Sequence, residues 1–196
     1  GRLLLDLLPE PEVAGLLGLM LLVESRRPAR LSPEGEPVML DQQDRKLWLH
    51  ALIEEGEALV EQALRSGRSG AYSVQAAIAA VHAQARRAED TDWPQIVGLY
   101  DVLLRFNDSA VVQLNRAVAL AMVQGPEAAL TLVDELLASG ELEGYHLAWA
   151  ARADLCRRLE RYDDARIAYL KAIELAQQDV DRRFLQRCLN ELPTQP

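Results

Sequence analysis

Apolar residues recur at intervals of three and four along most of this chain, the spacing of one helix face rather than the alternation of a strand. The clearest stretch is Tyr145 to Gln177. It divides into two helical segments of similar length around a turn near Glu160-Arg161. Trp149 and Ala153 fall in the first segment, and Ala165, Tyr169 and Ala172 in the second. Small residues suit the places where two helices of a hairpin approach closely, and large ones fill the space beside them. One unit earlier, Ala129, Val133 and Leu136 take the places of Ala165, Tyr169 and Ala172. One unit before that stand Ile96, Tyr100 and Leu103. The intervals are 36 and 33 residues.

The pattern predicts three helical hairpins at about 70–106, 109–138 and 145–178. Val180 to Leu192 reads as one more amphipathic helix that closes the last apolar face. The arrangement resembles the tetratricopeptide (TPR) repeat, a helical hairpin of about 34 residues with a Trp, a small residue, an Ala and an aromatic at fixed offsets. Arg152 and Cys156 depart from the repeat's Leu and Tyr, and no Pro closes the unit. The fold class expected is all-α: an α-α superhelix of TPR-like hairpins with an N-terminal helical subregion. The boundary is drawn so that 1–69 is the N-terminal subregion and 70–192 the repeats with their cap, within one continuous domain.

Leu3 to Leu8 reads as a helix stopped by Pro9 and Pro11. Glu12 to Ser25 is apolar nearly all round, which marks a buried helix. Arg26-Arg27 follows at its C-terminus, where cations suit the helix dipole. The irregular loop 28–41 contains Pro33, Gly35 and Pro37, which forbid a helix, and Val38-Met39-Leu40 is placed to pair briefly with Arg30-Leu31. Asp41 or Asp44 then caps a long helix through Ser66, with Leu47, Trp48, Leu52, Ile53, Leu59, Val60 and Leu64 on its apolar stripe. Arg65 to Gly70 breaks the pattern. Tyr72 to Ala85 is an Ala-rich helix, and Thr91-Asp92-Trp93 starts the next, with Pro94 in its first turn.

Composition narrows the function classes. The net charge of −9 is spread over both halves and argues against a phosphate-backbone-binding surface. The longest apolar run, Val13 to Val23, is too short to span a bilayer. Cys156 and Cys188 lie on helix faces without metal-type spacing and read as reduced thiols in a cytoplasmic protein. The start, Gly1-Arg2-Leu3-Leu4-Leu5-Asp6, has no initiator Met and reads as the end of a helix cut from a longer chain.

No Ser-His-Asp set, glycine-rich phosphate loop or metal-binding spacing is visible, so no catalytic residue, metal or cofactor is assigned. Partner-binding candidates are Arg30, Asp44, Arg45 and Trp48 around the irregular loop. Asn115, Arg116, Asp154 and Arg157, with Met122, are candidates on the concave side formed by the first helix of each hairpin. His82, Asp90, Asp92 and Trp93 form an alternative pocket beside the 28–48 region.

Several runs taken together resemble a known family. They are Arg27-Pro28-Ala29-Arg30; Gln43-Asp44-Arg45 with Trp48 and Ala51-Leu52-Ile53; Ala76 to Ala80 with His82-Ala83; Asp90 to Trp93; Leu114 to Ala119; and Tyr145-His146-Leu147 with Ala150 to Leu155. These are similar to the C-terminal TPR-like extension of bacterial extracytoplasmic-function (ECF) sigma factors. The resemblance implies a regulatory, non-enzymatic domain that modulates transcription initiation through its own sigma domains or core RNA polymerase. Neither the promoter-reading elements nor direct nucleic-acid binding is expected in this stretch, and no membrane contact. The alternative is a small-ligand sensor or enzyme domain with its pocket near 28–48 and 90–93.

Overall fold

A computed structural model describes residues 1–33 and 35–193. The regular elements of those residues are all helices, without a strand; one isolated antiparallel bridge, Leu31 to Pro37, is the nearest approach to one. The helices are α1 (Arg2–Leu7), α2 (Pro11–Ser25), α3 (His50–Arg65), α4 (Ala71–Gln84), α5 (Trp93–Phe106), α6 (Ala110–Val123), α7 (Pro126–Ala138), α8 (His146–Arg158), α9 (Tyr162–Leu175) and α10 (Asp179–Asn190). The all-α expectation holds. The chain divides into two compact units, Gly1–Asp108 and Ser109–Pro196. The sequence pattern suggested a line between residues 69 and 70, but α4 packs on both α2 and α3, which keeps it with the first unit.

In the first unit α2 is the central helix, with α3 and α4 packed on it. It buries Ala14, Leu17, Leu21 and Leu22 and brings its neighbours in through glycines. A Cβ on Gly15 would stand 2.6 Å from the Ser73 hydroxyl and 2.8 Å from the Ser73 backbone, so α2 and α4 touch almost backbone to backbone. Gly18 and Gly56 do the same for α2 and α3: a Cβ on Gly18 would meet the Gly56 carbonyl at 3.1 Å.

A second device locks α4 onto α2. The N-cap of α4 is Gly70, which has no side chain to offer. The carboxylate of Glu12 replaces it, accepting from the amides of Gly70 (2.7 Å), Tyr72 (2.9 Å) and Ser73 (3.1 Å) and from the Ser73 hydroxyl. A negative charge at these free amide groups is stabilised by the helix dipole as well. Burial pushes the Glu12 carboxyl upward, yet the hydrogen bonds outweigh it and hold it below its ordinary value.

Between α2 and α3 the chain runs as an irregular strap. Val38 donates to the Arg30 carbonyl at 2.8 Å and Ser32 to the Glu36 carbonyl at 2.8 Å, the short pairing expected from the sequence. The start of α3 differs from expectation. Asp44 accepts from the Lys46 amide at 3.0 Å and caps only a 3₁₀ turn, Arg45–Leu47, before α3 begins at His50. Trp48 lies in extended backbone ahead of α3, buried, while Leu47 and Leu64 of the expected apolar stripe are 50% and 41% exposed.

The second unit is built from α6/α7, α8/α9 and the closing helix α10. Its core runs from Ala110 to Leu192 and is dominated by small residues: Ala129, Ala148, Ala153, Ala165, Ala168 and Ala172 have no exposed surface. Ile96, Ala129 and Ala165 are each the fourth residue of α5, α7 and α9, and all three are fully buried. The register read from the sequence is therefore the register of the hairpins. Ala153 and Ala165 share the core with Trp149 and Tyr169, and the Trp149 indole donates to the Glu143 carbonyl at 2.9 Å. The turn between α8 and α9 places Glu160 at φ 59°, a left-handed conformation that glycine adopts more easily, and Arg161 donates to the Cys156 carbonyl at 2.9 Å to close it.

Candidate functional site

The polar interior of the first unit concentrates at the C-terminal end of α4. Helix ends leave carbonyls without intrahelical partners. Here Arg45 reaches across from the strap, one guanidinium nitrogen donating to the carbonyls of His82 (2.7 Å) and Ala85 (2.8 Å). The same guanidinium lies 4.5 Å from the centre of the Trp48 ring. Trp48 is 4% exposed. Its burial beside α4, rather than on a helical stripe, follows from this contact and from the core it shares with Leu22, Ala29, Ala76 and Ala80.

His82 stands on α4 with its ring edge-on to Trp93, 5.3 Å between centres. Burial, and then the positive charges of Arg26 and Arg45, push its pKa down to about 4. It is a neutral imidazole at physiological pH. Arg26 is partly buried as well; burial and the charges of Arg30 and Arg45 hold its pKa below the ordinary value. Arg30 turns inward and donates to the Val23 carbonyl at the end of α2. Two guanidinium groups, Arg26 and Arg45, thus act on one neutral histidine, with Arg30 beside Arg26, inside a chain whose net charge is −9.

The structure therefore brings Arg45 and Trp48 together with His82 and Trp93, members of the two sets that the sequence offered as alternatives, while Arg30 is bound to the end of α2 beside Arg26. The remaining candidates of the loop and the alternative pocket have local tasks. Asp44 caps its 3₁₀ turn; Asp92 caps α5, accepting from the Gln95 amide at 2.9 Å; Asp90 forms ion pairs with Arg87 at 3.2 Å. Asp90 and Asp92 also line a shallow cavity of about 380 Å³ with Val81, Gln84 and Ala85. Arg26 and Gln43 were missed as candidates. The doublet Arg26-Arg27 had a sufficient local explanation in the helix dipole, and it is Arg27, paired with Glu24 at 3.1 Å, that stays at the surface.

In the second unit Asn115 and Arg116 lie on α6, Asp154 and Arg157 on α8, and α6 packs beside α8. Asp154 and Arg157 pair with each other at 2.5 Å, and Arg157 also meets the Tyr169 hydroxyl. Met122 is half exposed, and Arg158 ties the ends of the two helices by donating to the Ala121 carbonyl at 3.1 Å. The two cysteines form no disulfide; Cys156 is buried and Cys188 partly so, and burial raises both thiol pKa values, which favours the protonated thiol. Among the described residues no group of His, Cys, Asp and Glu has the arrangement of a metal site, and no helix is long and apolar enough to cross a membrane.

Residues 1–64 match the model of a family of unknown function (DUF6596). That stretch holds α1, α2, the strap and nearly all of α3, including the arginines of the cluster but not His82. The whole chain is similar to an uncharacterized protein of Rhizobium meliloti (strain 1021), 45% identical over 198 residues. All of this chain is covered, and it spans 46% of the length of that relative. No solved structure matches the chain.

Proposed function

We propose that this chain is a regulatory protein-interaction domain of an ECF-type RNA polymerase sigma factor. On this reading it modulates transcription initiation through contacts with the sigma domains or core polymerase, in the cytoplasm, and catalyses nothing itself. The observation that carries the reading is the repeated hairpin register, in which Ile96, Ala129 and Ala165 occupy one helical position in three successive hairpins. Such hairpins are a packing solution whose use in nature is to present surface to other chains. The ECF assignment itself rests on the sequence runs that resemble that family. Two further facts support it. The chain aligns along its full length with less than half of a longer relative, as a module of a larger protein would. Its acidic balance suits a basic protein segment better than it suits DNA. A partner on the same polypeptide is held at high effective concentration, so a weak contact suffices.

The test is transcription from a target promoter by the full-length factor, with and without this domain, alongside Asn115→Asp, which adds a negative charge to α6, and Arg116→Asp, which reverses one. The proposal expects transcript levels to change at least several-fold on deletion, with a partial effect from the α6 substitutions. Unchanged transcription from a folded deletion protein contradicts it.

A further inference from the structure

Buried donors and acceptors in folded proteins are almost always paired, because an unpaired one forfeits its hydration without return. Among the described residues, four buried side-chain atoms have no partner: Gln43 Oε1, Arg45 Nη2, Trp48 Nε1 and His82 Nδ1. Three of them belong to the cluster described above, and Gln43 stands on the strap two residues before Arg45. Arg45 stacks on Trp48 and caps the backbone of His82, and Gln43, two residues before Arg45, is fixed by its own amide donating to the Val38 carbonyl at 3.1 Å. These contacts hold the side chains in place and leave one polar atom of each buried without a partner.

We propose that this cluster is a binding site for a small oxyanion that also carries a hydroxyl group, of the phosphate or hydroxycarboxylate kind. The chemistry of the four atoms selects that class. Arg45 Nη2 and Trp48 Nε1 can only donate; Gln43 Oε1 can only accept; a neutral imidazole nitrogen does either, according to its tautomer. Two fixed donors with the Arg26 charge nearby call for charged oxygens. One fixed acceptor calls for a hydroxyl on the same molecule. A fully ionised anion without a hydroxyl leaves Gln43 unpaired, and a neutral alcohol offers no charge to Arg26 and Arg45, of which only Arg45 feels a carboxylate, that of Asp90.

A ligand would enter past the strap, whose backbone pairs mainly with itself, Val38 to Arg30 and Ser32 to Glu36, and with the end of α2 through Leu49 donating to the Ser25 carbonyl at 2.9 Å. The shallow cavity lined by Ala85 and Asp90 opens beside the carbonyl that Arg45 caps. Its two carboxylates do not oppose an anion at full strength, since Asp90 is paired with Arg87 and Asp92 with the amide of Gln95. The site lies wholly within the first unit, and the inference does not depend on what the hairpins contact.

The experiment titrates the whole 196-residue chain with inorganic phosphate and, separately, with citrate, reading tryptophan fluorescence and Tm. Sulfate, which carries no hydroxyl at neutral pH, and chloride serve as controls at matched ionic strength. Saturable binding of phosphate or citrate, at least tenfold tighter than sulfate, is the expected result, and the better of the two names the kind of ligand. Two substitutions locate it. Trp48→Phe keeps the ring under Arg45 and removes the indole donor; Arg26→Gln removes a charge that makes no hydrogen bond among the described residues. Each should weaken binding at least tenfold while leaving the ligand-free Tm within a few degrees of the parent. The proposal is overturned if neither probe saturates, if sulfate binds as tightly, or if binding survives both substitutions. Should Trp48→Phe fold poorly, Arg26→Gln alone decides the matter.

Discussion

The two units solve the same problem, burying helices against one another, by different means. In Ser109–Pro196 the solution is periodic: alanines at matching positions of successive helices, with larger residues beside them, and polar groups kept to the surface or paired with helix ends. In Gly1–Asp108 it is particular. Glycines let α2 touch its neighbours, a distant carboxylate caps α4, an arginine from the strap closes the other end of α4, and four buried polar atoms remain unpartnered. A fold that keeps unmatched polar atoms inside gives up stability for something else, and such places are where function is to be sought. The comparison teaches that periodic packing leaves its polar groups satisfied, whereas the irregular part of the chain is where buried polar atoms are left over.

The largest expected effect breaks the particular contacts. Gly15→Ala forces a methyl group into the Ser73 backbone, where nothing flexible can yield, and should cost about 3 kcal/mol, seen as a large fall in Tm. An enlargement in the periodic unit, Ala165→Leu, overpacks a fully buried position among the side chains of that core and should cost about 2 kcal/mol. If Gly15→Ala proves the milder of the two, the contrast between the units is wrong.

Glu12→Gln keeps the shape of the cap on α4 and removes its charge. It should destabilise by about 1–2 kcal/mol at neutral pH. Because the folded-state pKa of Glu12 is lowered, its contribution is present above the unfolded value and disappears as pH falls through the folded one. The substituted protein should therefore converge with the parent in strong acid, checked by thermal melts from pH 7 downward.

His82 sharpens the comparison on the same axis. Its folded pKa of about 4 lies below the ordinary 6.5, so between those values the unfolded chain binds a proton that the folded chain refuses. Stability should fall as pH drops from 6.5 towards 4, by about 2 kcal/mol from this residue. His82→Phe, which keeps an aromatic ring against Trp93, should flatten that part of the Tm–pH curve. A slope unchanged by the substitution would place the acid sensitivity elsewhere. The smallest effect is a gain. Glu160→Gly relieves the left-handed backbone between α8 and α9 and should stabilise by under about 1 kcal/mol in a chemical denaturation curve.

The hairpins were legible in the sequence because their physics is local and repeated. The spacing of Ile96, Ala129 and Ala165 reports helix contacts that recur, and Asp92 and Thr91 announce the start of α5 within three residues of it. The strap's short pairing was legible from its prolines. The start of α3 was not, because Trp48 is apolar at a helical spacing yet is drawn out of the helix by Arg45. Glu12 capping α4 across 58 residues, or Arg45 closing α4 across 40, leaves no periodic trace. The candidate residues Arg45, Trp48 and His82 could be named from the chain, but that they form one cluster with Arg26 could be seen only once α2, the strap and α4 were placed together.

The most direct test of this contrast is amide hydrogen exchange over the whole chain, with and without a saturating concentration of the better oxyanion probe. The account predicts slower exchange in residues 26–49 and 82–93, the strap and the end of α4, with 109–193 unchanged. Equal slowing in 109–193, or no segment that responds, would contradict it.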